Sequence, residues 1–302
     1  MASESISPGG DPHANTPGQN PDEALADTRL RDTLHLLLRS PSFVAGALIL
    51  VWWIVCALAG PWFAPHDAYA SDPIGSLLPP DHTHWCGTDQ LGRDICSRVI
   101  VGARDILSIA PLATLVGTLA GTALGLVTGY FEGAFGTLVA RSLDAVLALP
   151  LVIVALLVLA AVGASNLAVV LVIGITFAPL VARTVRAAVL AERHLDYVAA
   201  ARLRGANALA VMFMEILPNV WPPVVVEATV RLGYAIFAVA TLSFLGFGIQ
   251  PPSADWGLAL AESYTLLAGG AWWTVAFDAL AIASLVVAVN LIADSLREVL
   301  VS

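Results

Sequence analysis

The chain has 302 residues, 58% hydrophobic and only 12% charged, with 14 basic and 23 acidic residues and a formal net charge of -9. A soluble domain carries about 25% charged residues, so this balance excludes an ordinary soluble domain and points to an integral membrane protein. All 14 basic residues are Arg; a phosphate-cradling P-loop needs its Lys, so the chain cannot supply its own Walker-type ATPase, and with no basic patch outside the membrane-flanking loops it does not read as a nucleic-acid binder.

Residues 1–28 are rich in Pro, Gly, Ser, Asn and Asp and carry five of the acids, Glu4, Asp11, Asp22, Glu23 and Asp27. With no apolar period they cannot bury a core and are predicted to be a disordered tail. Residues 29–302 then form one membrane domain. The first apolar run, Phe43–Phe63, begins too far into the chain for a secretory signal and reads as a retained span. Five more runs reach the roughly 20 residues needed to cross the hydrocarbon layer: Ile106–Tyr130, Leu143–Gly163, Leu167–Val189, Pro222–Phe247 and Trp272–Ala293. Long runs in lipid must pair their backbone groups internally, so all six are helices. Gly117, Gly121 and Gly125 recur every four residues and line one helix face for close packing. Pro150 and Pro179 lie inside apolar runs and can kink them. Trp52, Trp53, Trp62, Trp221, Trp272 and Trp273 fall near span ends, as an aromatic belt would.

Between the first two spans lies a long loop, 64–105. It carries Cys86 and Cys96, and an oxidising compartment would permit a disulfide there; two unpaired side chains at apolar positions is the other reading. Cys56 reads as a small hydrophobe within the first span. No metal-ligand spacing accompanies the cysteines: His82 and His84 are near, in a Pro-rich loop without a second anchoring element. Placing the N-terminus inside puts Arg29, Arg31, Arg39, Arg141, Arg183, Arg186, Arg193, Arg202, Arg204 and Arg297 on the cytoplasmic side, as the positive-inside rule asks. Arg93, Arg98 and Arg104 oppose it, in the long loop. Both termini are then cytoplasmic, and the 249–271 loop, which has no Arg, lies outside.

A polar insert, 190–221, interrupts the fourth and fifth spans on the inner side. Asp196 is a reasonable N-cap, a helix-forming run ends at Gly205, and a second stretch, Asn207–Leu217, stops before Pro218. The insert reads as helix, Gly bend, helix, lying flat on the inner face with Arg193, Arg202 and Arg204 toward lipid headgroups or a partner. The residues alone leave open whether it docks a protein or is an interfacial anchor to anionic lipid.

The insert resembles the EAA loop of binding-protein-dependent ABC importers, reading Ala199-Ala200-Ala201, Arg202-Leu203-Arg204, Gly205, then Glu215-Ile216-Leu217-Pro218-Asn219. The pattern's Glu is Ala199 here, and the His common before Ile-Leu-Pro is Glu215. Three further segments resemble the dipeptide, oligopeptide and nickel branch of these permeases, of the type paired as the second permease subunit. They are Gly87-Thr88-Asp89-Gln90-Leu91-Gly92-Arg93-Asp94 through Ser97-Arg98 and Gly102-Ala103-Arg104, then Leu242-Ser243-Phe244-Leu245-Gly246-Phe247-Gly248 with Gln250-Pro251-Pro252 and Trp256-Gly257, and Asn290-Leu291-Ile292-Ala293-Asp294-Ser295-Leu296-Arg297. The resemblance implies an all-α, six-span type I ABC importer permease in a bacterial cell membrane. Its partners would be a second permease, two ATP-binding subunits that hold ATP and Mg, and an extracytoplasmic substrate-binding protein. This chain would need no cofactor. Asp196, Ala200, Ala201, Arg202, Arg204, Gly205, Ala206, Asn207, Leu217 and Pro218 would form the ATPase-coupling segment, and Trp85 and Trp256 would shape the outer surface.

Three intramembrane charges are candidates for the translocation path, because such charges are costly and often line a polar route. Glu227 and Arg231 lie four apart and share a helix face, which equally suits a pair that fixes packing. Asp278 has no sequence-local partner and is a candidate for the cavity or a permease–permease interface. No catalytic constellation stands out; His194 beside Asp196 reads as a surface residue. The rival reading is an ion-coupled secondary transporter or channel using Glu227, Arg231 and Asp278; it predicts inverted repeats, and the halves show no convincing one. A lipid-anchored scaffold is the third.

Overall fold

The first membrane-length helix starts where the sequence supplies a cap. In the computed structural model, which describes residues 35–131 and 133–301, α1 (Pro41–Phe63) opens with Pro at its first turn and with the Ser40 hydroxyl accepting from Phe43 N, the usual start signals of a helix. The predicted tail, with Arg29 and Arg31, lies outside the described residues. A second long helix, α2 (Ile95–Tyr130), is capped by Asp94, whose carboxylate accepts from Ser97 N. It therefore begins eleven residues earlier than its apolar run, inside the stretch read as loop. Then follow α3 (Ala134–Leu147), α4 (Leu151–Val162), α5 (Asn166–Glu192), α6 (Asp196–Leu203), α7 (Ala208–Phe244), α8 (Trp256–Ser263) and α9 (Trp273–Val301). No strand occurs among the described residues, only an isolated bridge between Thr88 and Asp94.

Five helices are individually long and apolar enough to cross a membrane: α1, α2, α5, α7 and α9. The third predicted span is instead a bent pair, α3 and α4, turning by 86° at a short break. Pro150 sits in that break as the N-cap of α4 with extended ψ; its ring and missing N–H prevent one helix from running through. Pro179, by contrast, stays within α5.

The packing of α2 on α5 determines what α3 and α4 must do together. A Cβ built on Gly117 would meet Gly174 O at 2.8 Å and Phe177 Cβ at 3.1 Å; on Gly121, Val181 Cβ at 2.5 Å; on Gly125, Val185 Cβ at 2.6 Å; on Gly129, Val189 Cβ at 2.7 Å. The small-residue face thus continues to Gly129, and both helices advance in the same direction along it. Two parallel helices joined in sequence need a return crossing between them, and only α3 plus α4 lies there. The pair's 14 and 12 helical residues, at about 1.5 Å each, make two arms of about 21 and 18 Å that together carry that return.

Helix α1 runs antiparallel to α9: Gly46 faces Ala288, Leu291 and Ile292, and further along Trp53 Nε1 donates to Ser284 Oγ at 2.9 Å. The Ser40 and Ser295 hydroxyls are 3.3 Å apart, so the start of α1 and the end of α9 share one side. One core cluster gathers around Ile106, Ile173, Ile236 and Leu285; a second lies where the end of α2, the end of α5 and the start of α7 meet. Trp53, expected in an aromatic belt, is 7% exposed and packs edge-on against Trp256, centroids 4.7 Å apart. Trp52, Trp62, Trp221 and Trp272 are exposed.

Candidate functional site

The polar insert is a folded lobe of helix, glycine bend and helix. After α5 the chain turns through Arg193–Leu195 into α6. Leu195 rather than Asp196 is the N-cap; Asp196 occupies the first turn, where its charge favours the helix's positive end. Arg202 and Arg204 sit at the other end. Gly205 adopts φ +82, the left-handed region that glycine enters without steric cost. It reverses the chain so that Asn207, whose Oδ1 accepts from Ala210 N at 2.8 Å, caps α7.

The second helix does not stop before Pro218. It widens into a π-helical turn over Val211–Ile216 and continues through Pro218, Pro222 and Pro223 to Phe244. A proline ring clashes with the carbonyl four residues back; for Pro218 that residue is Met214, inside the widened turn, which relieves the clash. Asn219 Nδ2 donates to Glu215 O at 2.7 Å just there.

Val198 and Ala201, on one side of α6, are fully buried with Val211, Met212 and Ile216, and this group is continuous with Leu126 of α2 and Val181, Val185 and Val189 of α5. The lobe is thereby locked onto the ends of three long helices. The basic residues finish the attachment. Arg186 Nε donates to Thr128 O at 3.4 Å and Arg193 Nη1 to Gly129 O at 2.8 Å, serving the free carbonyls at the negative end of α2. The Arg202 guanidinium lies 4.9 Å from the centre of the Tyr130 ring, a cation–π contact. Arg193 and Arg202 are thus both engaged by α2, with Arg202 still exposed. With Phe131 and His194 they line a cavity of about 400 Å³. Tyr197, donating to Glu192 Oε2 at 2.7 Å, has its phenol pushed up to about 12 by burial and by that carboxylate.

The opposite side of the lobe is bare. Ala199, Ala200, Arg204, Gly205, Asn207 and Pro218 are exposed, Ala206 and Leu217 half-buried. Leu203 is 89%, Leu209 64% and Met214 76% exposed; these apolar tips escaped the sequence reading, because no pattern marks which side of so short a helix is covered. Arg204 Nη2 reaches Glu215 Oε1 at 3.1 Å, an exposed pair worth little to stability.

At the end of the bundle away from the lobe, the 64–94 loop and the segment before α8 form a buried cap. Asp89 accepts from Leu91 N and Arg93 N through Oδ1 at 2.8 and 2.9 Å. Its Oδ2 meets Arg93 Nε at 2.5 Å and Arg98 Nε at 3.7 Å, and Arg93 Nη2 reaches Glu262 Oε2 at 2.9 Å. This network ties the 64–94 loop to α8. Gly92 must be glycine: at φ +72 a Cβ would fall 1.8 Å from Asp72 O. Trp256, expected to shape the outer surface, is fully buried and donates to Val99 O at 2.9 Å; Trp85 is exposed. Cys56, Cys86 and Cys96 are free thiols; the last two touch by a side-chain hydrogen bond, and that bond and burial push the Cys86 thiol up.

Of the three charges read as intramembrane, Glu227 and Arg231 pair on α7 and Asp278 sits on another helix, α9. Arg231 Nε bonds Glu227 Oε1 at 2.7 Å, with side chains 18% and 13% exposed, and its guanidinium lies 5.1 Å from the Tyr234 ring centre. Asp278 is on α9 near the cap, 3% exposed, its Oδ1 without a hydrogen-bond partner among the described residues. Residues Asn290, Asp294 and Arg297 of the terminal signature line a groove of about 470 Å³ with Gly233 and Tyr234 of α7.

The comparisons with known proteins agree with this architecture. The model of the "Binding-protein-dependent transport system inner membrane component" family matches residues 121–302, and that of the "N-terminal TM domain of oligopeptide transport permease C" matches residues 28–80. The di/tripeptide transport system permease protein DppC of Pseudomonas aeruginosa is 36% identical, covering 95% of this chain and 96% of that protein. The probable D,D-dipeptide transport system permease protein DdpC of Escherichia coli is 35% identical over 88% and 89%. The dipeptide transport system permease protein DppC of Escherichia coli is 37% identical over 90% and 93%. Among solved structures, an inward-facing form of the MetNI methionine ABC transporter aligns with a TM-score of 0.56 at 18% identity, covering 67% of this chain and 96% of the other; that likeness concerns the fold. Helices, lobe and signatures in register place the chain in the family of binding-protein-dependent transport system inner membrane components, as a multi-pass membrane permease with its own OppC-type N-terminal segment.

Proposed function

We propose that this permease is one half of the translocation path of an ABC importer for dipeptides or oligopeptides. The cargo class follows from the relatives, whose names specify di/tripeptide, D,D-dipeptide and dipeptide transport. A second permease forms the other half, an extracytoplasmic binding protein delivers peptide to the cap, and two ATP-binding subunits hold ATP and Mg. Both termini and the lobe face the cytoplasm; the Arg residues gathered at that end support this orientation.

One observation carries the coupling step: the lobe is bare and apolar on one side while its other side is locked into the spans. A lipid anchor would not need that rigid attachment. The lobe seats in a groove of an ATPase through Leu203, Leu209 and Met214 beside Arg204 and Gly205. When the ATPases close on ATP, Val198 and Ala201 transmit the displacement to the inner ends of α2, α5 and α7, and the helices rock as a unit. Coupling is mechanical, and no chemistry occurs in this chain. Glu227 and Arg231 neutralise each other within one helix, which supports a packing role beside the path rather than ion coupling.

The test is co-expression with candidate ATPase and second-permease subunits from the same organism, purification, and reconstitution into liposomes. The expected result is an assembly in which peptide uptake requires ATP, Mg and binding protein. Uptake by this chain alone, driven by an ion gradient, would sink the proposal in favour of a secondary transporter.

A further inference from the structure

We propose that His66, His84 and Asp94 form a binding site for a divalent transition-metal ion on the outer cap. The fold brings the three together from separate loop segments. His84 Nδ1 lies 2.8 Å and His66 Nδ1 3.7 Å from the same oxygen, Asp94 Oδ1, and all three donor atoms lie within 4.8 Å of one another. Ligands around a tetrahedral zinc ion, bound at about 2.0–2.1 Å, stand about 3.3 Å apart. The 2.8 and 3.7 Å separations lie on either side of that spacing.

The donors are held by partners outside the cluster, as metal ligands are. Asp94 Oδ2 is occupied by Ser97 N at 2.8 Å and Ser97 Oγ at 2.6 Å, which leaves Oδ1 for the imidazoles. Ser97 Oγ also accepts from His66 N at 2.9 Å, and His84 N donates to Asp81 Oδ1 at 2.5 Å. Both histidine backbones are therefore fixed, and their rings lie side by side, tilted by 36° with centroids 4.7 Å apart. Asp94 is 2% exposed at its side chain, His84 21% and His66 38%, so the carboxylate is anchored inside while solvent reaches the imidazole side. Three protein ligands with one open position result.

Two imidazoles and one carboxylate suit zinc, copper, nickel or cobalt, whereas calcium and magnesium call for more oxygens. The Asp94 carboxylate offsets the positive end of α2 that would otherwise oppose a cation. A bound ion would clip the segment after α1 to the start of α2, on the face that receives the binding protein in the reading above. The geometry of the site is independent of that reading.

The test uses the full chain in detergent, carrying a tag without histidine, stripped with chelator and dialysed against zinc. One zinc per chain is expected, with X-ray absorption showing two imidazole nitrogens, and without competition from excess calcium or magnesium. Changes to outer partners of metal ligands cost 10–100-fold in affinity, so His66→Ala and His84→Ala, which remove ligands, should each cost at least about 100-fold. His82→Ala should change nothing. His66→Ala is the decisive variant if His84→Ala fails to fold, because the His66 ring is the most exposed of the three. Absence of stoichiometric zinc, oxygen-only ligation, or unchanged affinity in monodisperse His66→Ala overturns the proposal and leaves a hydrogen-bonded His–His–Asp cluster.

Discussion

Asp255, just before Trp256 of the second signature, shows how a buried cap residue can carry an electrostatic cost. It is fully buried at the start of α8, where its Oδ1 accepts from Leu258 N at 2.9 Å. Burial pushes its carboxyl up to about 6, against the smaller downward pull of that amide. In the unfolded chain an Asp titrates near ~4, so between about pH 4 and 6 the folded state holds more protons than the unfolded one. Stability from this group is therefore complete below about pH 4, falls as pH rises, and is gone above about pH 6. Asp255→Asn keeps an N-cap acceptor and removes the charge. At about 1.4 kcal/mol per pKa unit it should stabilise the assembled protein by at most about 3 kcal/mol at pH 7.5, with the gain vanishing near pH 4. Thermal unfolding across that range decides; a less stable Asn variant at pH 7.5 means the neighbours need the ion. The Glu227–Arg231 pair answers a different question. If it fixes packing, Arg231→Glu alone should cost about 3 kcal/mol, the range for breaking a buried pair, and the swap Glu227→Arg/Arg231→Glu should restore both stability and uptake. A swap that restores stability while uptake stays lost would assign the pair to the path.

At the scale of elements, the lobe separates backbone strain from partner contact at a single position. A Cβ at Gly205 meets nothing within 4 Å, so only its φ of +82 penalises other residues within this chain. The left-handed region costs most residues about 1–2 kcal/mol, and Asn enters it readily. Gly205→Asn should couple nearly normally and Gly205→Ala lose modestly. Gly205→Trp should abolish uptake while ATP hydrolysis continues, because its bulk can collide only with a docked subunit. Wild-type uptake by Gly205→Trp at equal expression would remove the docking role. The Gly bend was legible because glycine has one conformational use there. The continuation of α7 was not: Pro218, Pro222 and Pro223 signal a stop locally, and the π turn that accommodates them has no composition of its own. Likewise the early start of α2 was hidden, since Arg98 and Asp105 look like loop charges until Asp89 and Ser253 meet them from distant segments. The His66–His84–Asp94 cluster escaped for the same reason, as its members approach through loop folding rather than any helical or strand period.

For the whole molecule, the number of crossings depends on one bent pair, and hydropathy could not resolve it. Apolar character runs without interruption across Pro150, so the sequence supported a single span, while the 86° bend also admits a re-entrant loop. The register of α2 on α5 discriminates: Gly117, Gly121, Gly125 and Gly129 meet successively later residues of α5, so the two are parallel, and the chain must recross between them. Residue 164, between α4 and α5, should then lie on the same side as the cap built from residues 64–94. Ala199, on the bare side of the lobe, should lie on the other. Ala164→Cys in intact cells should react with a membrane-impermeant maleimide above the level set by Cys56, Cys86 and Cys96 in the parent, of which only Cys96 is not fully buried. Ala199→Cys should react only after permeabilisation. Both sites labelling only in permeabilised cells would make α3–α4 re-entrant, and a membrane topology with α2 and α5 parallel could not survive that result.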